Sequence, residues 1–330
     1  SVITPPLDAA EPTEPAAEIN NVLMIVADDL KASVLGCYGD EVCQTPNLDR
    51  LARKSMVFEH AYCQGTWCQP SRVSFMFGRY NDQSNKTLGE TLQNRGSETI
   101  RIGKIFHMRV PGDIIAGTDG KDVAECWSRR YNSPGPEAHT PGEYACLNLN
   151  IVSRDMDNRQ STRMPHRMFV SVKSDTDGSE QADHKSASKA VELISELGER
   201  PFFLAVGLVR PHYPMVAPEE YFSPYPISRI RMPGSWNDDT SDIPKLDGPA
   251  PATTRIRSAS TRTIRNECGP PTMPACSSWT PKWAESSMRS RHLRREKRPR
   301  SFLPVTTAIT SASTVFGKRA IFTRKWSAFH

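Results

Sequence analysis

Val22-Leu23-Met24-Ile25-Val26-Ala27-Asp28-Asp29 is the stretch that decides the fold of this 330-residue chain. Its short, unbroken apolar run reads as a strand buried on both faces, as in a parallel sheet. The run delivers Asp28 and Asp29 at its carboxyl end, where open α/β sheets bind ligands. Two adjacent carboxylates in that position suit a hard divalent cation. A helix cap plus a solvated acid would account for one of them, but poorly for both. Downstream, Thr45 as N-cap, Pro46 at the first helical position, and Leu48, Leu51 and Ala52 on one face predict a scaffold helix.

The next informative stretch is Cys68-Gln69-Pro70-Ser71-Arg72. C-x-P-S-R is how a cysteine destined for oxidation to formylglycine is written. A thiolate is a poor nucleophile for sulfur(VI), whereas the aldehyde hydrates to a gem-diol: one hydroxyl can attack sulfur, and the other can then expel sulfate. Pro70 and Ser71 predict a helix start that sets residue 68 by the helix's positive end, with Arg72 one turn in. A buried cysteine before an ordinary Pro-Ser helix start is the plainer reading, and the neighbouring motifs argue against it.

Hydrolysis of a sulfate monoester calls for cations where negative charge accumulates and a proton donor for the leaving oxygen. Arg72 and Lys104 can supply the first, His107 or His212 the second. Taken singly, Lys104 reads as a solvated lysine and His107 as a histidine at a strand end. His212 carries more weight, because it closes an apolar strand between two prolines and so points into a strand-end crevice. His60, His139, His166 and His184 read as structural or solvated.

Together these residues resemble the sulfatase family of the alkaline-phosphatase-like superfamily. Val26-Ala27-Asp28-Asp29, the Thr45-to-Ala52 helix, Cys68-to-Arg72 and Gly78-Arg79 stand in that family's order and spacing. Gly103-Lys104-Ile105-Phe106-His107, the strand from Pro201 to Gly207 running into Arg210-Pro211-His212-Tyr213-Pro214, Ala217-Pro218 and Tyr221-Phe222 resemble its iduronate-2-sulfatase branch. The resemblance spans about residues 20 to 247. It implies an α/β fold with a mixed, mainly parallel sheet flanked by helices. It also implies sulfuric ester hydrolysis with Asp28, Asp29 and residue 68, as formylglycine, holding one divalent cation, Ca2+ ahead of Mg2+. Arg72, Lys104, His107 and His212 would contact the sulfate or the catalytic hydroxyls. The implied partners are a sulfated carbohydrate or other sulfate ester and a formylglycine-generating maturation enzyme. The implied location is an exported one, periplasmic, secreted or lysosome-like.

Elsewhere the chain divides into unlike parts. Residues 1 to 18, rich in proline, read as disordered. Residues 19 to 247 read as the catalytic domain. Within it Ala182 to Gly198 predicts a helix with Ala187, Ala190, Val191, Ile194 and Leu197 on one face, while Asp113 to Thr162 reads as long loops over the strand ends. Cys126 and Cys146 would pair across a loop in an exported protein or remain free thiols. No transmembrane run or signal peptide is visible, and because the chain does not begin with Met an export segment would already have been removed.

The charge is divided too. Residues 251–330 hold 16 basic and 3 acidic residues, a net of +13, against −8 for residues 1–250. Such an arginine-rich end would ordinarily suggest a disordered polyanion-binding tail. A shifted reading frame explains it better. Taking the last base of each codon with the first two of the next, Met273 and Pro274 must give Ala, and Trp279 and Thr280 must give Asp. Cys268 to Arg289 then accommodates an amphipathic helix. Val305 to Lys325 accommodates Asp-His-Gly-Tyr-His-Leu-Gly-Glu-His-Gly, similar to the family's second metal-binding motif. Residues 248 to 330 are therefore expected to be a frameshifted, poorly ordered tail, leaving the fold incomplete at its C-terminal end and the activity impaired. No nucleic-acid partner is expected. The competing readings are a phosphomonoester or phosphonate hydrolase of the same superfamily, and a non-catalytic polyanion-binding protein.

Overall fold

The computed structural model of the protein describes residues 21–63, 67–80, 83–146, 149, 151–157, 159, 170–226, 308–312 and 320–322. The proline-rich segment 1–18 and all of 248–330 except those last two stretches lie outside the described residues.

The opening apolar run is strand β1 (Asn21–Asp28), and it sits near the middle of a seven-stranded sheet. On one side it pairs in parallel with β8 (Phe202–Pro211), which pairs in parallel with β3 (Glu98–Gly103), and that in turn with β4 (Arg129–Tyr131). On the other side lies β10 (Ala308–Ala312), parallel to β1, followed by the antiparallel strands β11 (Ala320–Phe322) and β2 (Met56–Phe58). The mixed, mainly parallel α/β sheet expected from the sequence is thus observed.

The apolar runs lack alternation because both faces of the sheet are covered. Ile25, Ala27, Ile100, Ile102, Leu204 and Val206 meet helix α5 (Ala182–Leu197) through Ala190, Leu193 and Leu197. Met24, Val26, Phe203 and Ala205 face the other way, toward Val73, Met76 and Phe77 of helix α2 (Cys68–Phe77). Every residue of β8 is buried. Among the described residues no helix is long and apolar enough to cross a membrane.

Local expectations shift in detail. Helix α1 (Pro46–Ala52) has Thr45 as its N-cap and Pro46 in its first turn, but the Thr45 hydroxyl caps no helix amide. It donates to Asp49 Oδ1 and accepts from Gly36 N, tying α1 to the loop after β1. Helix α5 ends at Gly198 as predicted, yet its buried seam is Ala182, Ser186, Ala190, Leu193 and Leu197. Ala187, Val191 and Ile194 are only partly buried, because the seam is set by the sheet beneath and includes a serine.

The stretch 113–162 is not simply loop. It carries the end of α4 (Gly112–Ala116), strand β4, and strands β5 (Gly142–Cys146) and β6 (Ile151–Ser153). With β7 (Val170–Ser174) and β9 (Met215–Pro218) these last two form a second, four-stranded sheet. The strands are three to five residues long, too short for periodicity to register, and the β5–β7 and β7–β9 partners are distant in sequence. Cys126 and Cys146 are both buried but lie in different apolar clusters, and no disulfide joins them.

Two glycines set how closely β3 and β8 approach at their carboxyl ends. Gly103 has φ +64 and pairs with Gly207; a Cβ on Gly207 would lie 2.1 Å from the carbonyl carbon and oxygen of Lys104. Gly207→Ala is therefore expected to lower stability by at least about 2 kcal/mol through backbone overpacking, read as the urea midpoint. Gly112→Ala, where a Cβ meets nothing within 4 Å, is expected to be neutral or stabilising.

Candidate active site

Three strand ends and one helix start meet beside β1. Asp28 is its last residue, Lys104 follows β3, His212 follows β8, and Cys68 opens α2. The helix begins two residues earlier than Pro70 and Ser71 suggest, with Trp67 as N-cap, so residue 68 lies in the first turn itself. All of the sequence-predicted residues, Asp28, Asp29, Cys68, Arg72, Lys104, His107 and His212, are brought into this one cluster.

Asp28 is its centre. The carboxylate is wholly buried and receives Lys104 Nζ on Oδ2 and Arg72 Nη2, at 3.0 Å, on Oδ1. Burial opposes its ionisation, but Lys104, Arg72 and His212 outweigh it and hold the carboxylate far below its usual range. Arg72 also donates through Nη1 to the carbonyls of Lys104 and Ile105, so the turn after β3 is pinned to α2. Arg72 thus reaches into the core toward Asp28, and both cations expected to meet a substrate anion are fully buried.

Asp29 takes a left-handed backbone, φ 61, which is uncommon for a residue with a side chain and gathers at functional sites. Its Oδ2 lies 3.8 Å from His212 Nε2, while His212 Nδ1 sits 2.6 Å from the Tyr213 carbonyl. On the other side Cys68 Sγ is 3.2 Å from His107 Nδ1. Burial, with Lys104 and Arg72 adding to it, pushes His107 down to about 4. Burial and Lys104 push His212 to about 4 as well, against the pull of Asp28. Both rings are therefore neutral at pH 7. Burial also raises the Cys68 thiol, so an unmodified cysteine here is not an activated thiolate.

Two carboxylates and the residue-68 side chain are oxygen donors of the kind a hard cation takes once residue 68 carries a hydroxyl. In kind they would suit such an ion, but Asp28 is taken up by Lys104 and Arg72, and among the described residues no three histidine, cysteine, aspartate or glutamate side chains are gathered as a metal site.

Residues that the motif reading left without a role also converge here. The Tyr213 ring lies tilted against His212 with centroids 4.7 Å apart. Lys121 reaches Gln69 Oε1 at 3.1 Å and pairs by backbone with His107. Glu137, Asp183 and Arg210 form a second buried ion group behind His212. Arg210 was visible in the Arg-Pro-His-Tyr-Pro motif, whereas nothing local marks Glu137.

The sequence pattern of the Sulfatase family matches residues 20–233. Mouse iduronate 2-sulfatase is 30% identical over 249 residues, 68% of this chain and 41% of that protein. The human enzyme is 32% identical over 235 residues, 64% of this chain and 38% of its own length. The match thus spans less than half of each of these relatives. Among solved structures, the phosphonate monoester hydrolase of Agrobacterium radiobacter superposes with a TM-score of 0.62 at 15% identity, covering 93% of this chain and 68% of that one, a likeness of fold. With the family's pattern running through Asp28, Cys68, Lys104 and His212, this chain belongs to the sulfatase family.

Proposed function

We propose that the cluster at the end of β1 is a sulfate ester hydrolysing site of the iduronate-2-sulfatase kind, acting on a sulfated carbohydrate after Cys68 is converted to formylglycine. The observation that carries this reading is the placement of Cys68. It stands in the first turn of α2, 3.2 Å from His107, beside two buried cations, with a thiol too weakly acidic to act as a nucleophile itself. A hydrated aldehyde at that position would present two hydroxyls where the thiol presents one sulfur. The likeness of the chain to iduronate 2-sulfatases supports the substrate class.

Asp28, Asp29 and residue 68 would hold a divalent cation, Ca2+ ahead of Mg2+. When bound, the cation would lower the pKa of the attacking hydroxyl and polarise the sulfate. The chain's own groups do the rest. His107 Nδ1, at residue 68, accepts or returns a proton on the nucleophile side. His212, across the crevice, faces the leaving oxygen. A sulfate group lodged near Lys104 would offset the charge that adds to burial in depressing both histidines and favour their protonated forms. An oxidising export compartment, and a maturation enzyme acting on Cys68, go with this reading.

The shifted-frame reading belongs to the same proposal. Strand β10 lies beside β1 with Ala312 in register with Asp28, the sheet position from which further ligands would be offered, and Ala312 carries none. Three donors leave a cation short of the six to eight oxygens typical of Ca2+. As translated the chain is therefore expected to turn over little substrate.

When the full chain is co-expressed with a formylglycine-generating enzyme, mass spectrometry of the peptide holding residue 68 should show the aldehyde. An intact thiol in every preparation would argue against the nucleophile assignment. Reading the coding sequence in the shifted register should yield an uninterrupted Asp-His motif over the codons of Val305 to Lys325. The frame-restored protein should hydrolyse an aryl sulfate in a metal-dependent manner, and Cys68→Ala and Asp28→Asn should each reduce the rate at least about 1,000-fold. Stop codons there, with salt-sensitive polyanion binding by residues 251–330, would favour the binding protein instead.

The acid limb of stability should report the two histidines. Both are held near 4 in the folded chain against 6.5 when unperturbed, so between those values the unfolded chain binds more protons. Their contribution is complete above pH 6.5 and is lost as pH falls toward 4. Asp28 adds a further loss only below 3.8, whereas Glu137 and Asp183, with raised values, act in the opposite sense. The melting temperature of a His107→Gln, His212→Gln variant should accordingly decline less between pH 7 and pH 4 than that of the parent chain. Parallel curves would remove both histidines from the buried, neutral state.

A further inference from the structure

Behind His212 lies an ion group that the proposed chemistry does not use. Arg210, 5% exposed, spreads its guanidinium between two targets: Nη2 meets Glu137 Oε2 at 2.8 Å and Nη1 donates to the His212 carbonyl at 3.1 Å. The backbone of the same segment is held from another element. Asp183, in the first turn of α5, accepts from Val209 N at 2.7 Å and from Arg210 N at 2.8 Å. Glu137 is fully buried and takes φ 53, a left-handed backbone that an acidic residue adopts at a cost. Its second oxygen, Oε1, has no hydrogen-bond partner.

A core gains little from such an arrangement. Replacing a buried ion pair by well-packed apolar residues is often neutral or stabilising, and a strained backbone with an unsatisfied oxygen adds to the cost. What the arrangement achieves is direction. A fork with two arms, one anchored on Glu137, fixes where the His212 carbonyl lies, and the Asp183 clamp fixes Val209 and Arg210 upstream of it. The imidazole that faces Asp29 at 3.8 Å is carried on that backbone.

We propose that Arg210 and Glu137 are positioning residues that hold His212 over the strand-end crevice, with Asp183 fixing the backbone that carries them. The inference rests on the reading that His212 belongs to the hydrolytic site, but its test does not need turnover. The full 330-residue chain, labelled with 13C-histidine, contains eight histidines. The His212 ring signal is assigned by its absence in His212→Asn and is marked by the ring current of Tyr213, whose ring lies 4.7 Å away.

Arg210→Lys keeps a charge for Glu137 but offers a point donor in place of a fork. It should displace or broaden the His212 signal by more than its linewidth, while the His107 signal stays in place. Glu137→Ala, which frees the guanidinium, should do the same, and Glu137→Gln, which keeps an acceptor, should restore the signal toward its original position. A His212 signal unmoved in both Arg210→Lys and Glu137→Ala overturns the proposal. So does collapse of the folded spectrum in all three Arg210 and Glu137 variants, which would make the group an ordinary part of the core. Failure of the hydrolytic reading would look different: no turnover by the frame-restored protein, with His212 still responding to Arg210→Lys.

Discussion

The carboxylate of Asp28, buried without access to water, is the interaction on which the rest of the structure depends. Removing one partner from a buried ion pair costs about 3–5 kcal/mol, so the fold must bring cations to the end of β1. Lys104 arrives from β3 and Arg72 from α2. The second guanidinium nitrogen of Arg72 then donates to the buried carbonyls of the turn that carries Lys104. One charge therefore fixes the positions of a helix and a strand end relative to β1. The paired glycines at 103 and 207 are the steric condition for this, since a side chain at Gly207 would push the Lys104 backbone away and one at Gly103 would meet the Gly207 carbonyl.

The dry centre is nearly balanced in charge. Asp28, Glu137 and Asp183 are set against Lys104, Arg72 and Arg210, and the influence of each group reaches beyond its own partner: Lys104 acts on Glu137, and Asp28 on Asp183. Burial is the larger cause of the depressed His107 and His212, and Lys104 adds a positive field to it at the crevice. Such a field suits an anion. Burial outweighs the cationic neighbours of Cys68 and raises its thiol.

The family match ends at residue 233, shortly before the charge of the chain reverses from acidic to basic. That coincidence gives the shifted-frame reading its weight. Three of the central sheet's six pairings do not involve the tail: β1, β8, β3 and β4 are joined to one another through residues before 212. The side of β1 away from β8 is where the tail matters. There β10 supplies backbone hydrogen bonds to β1, and backbone pairing is indifferent to the side chains that a cation would need.

By itself the sequence determined the buried central strand, the acidic pair at its end, the Cys68 motif, and the cations and histidines that accompany them, because each is a local pattern of residue type and spacing. It also marked the break in composition near residue 250. Tertiary structure alone decided the remainder. That Arg72 turns inward to Asp28, that Cys126 and Cys146 lie in different clusters, and that stretch 113–162 contributes two strands to a second sheet all depend on contacts between residues far apart in the chain. Glu137 is the clearest case: no motif surrounds it, and its 2.8 Å contact with Arg210 joins residues separated by 73 positions. Local sequence records which groups are available, but which charges share one dry volume is set by chain topology, since desolvation acts on groups that are near in space however distant they are in sequence.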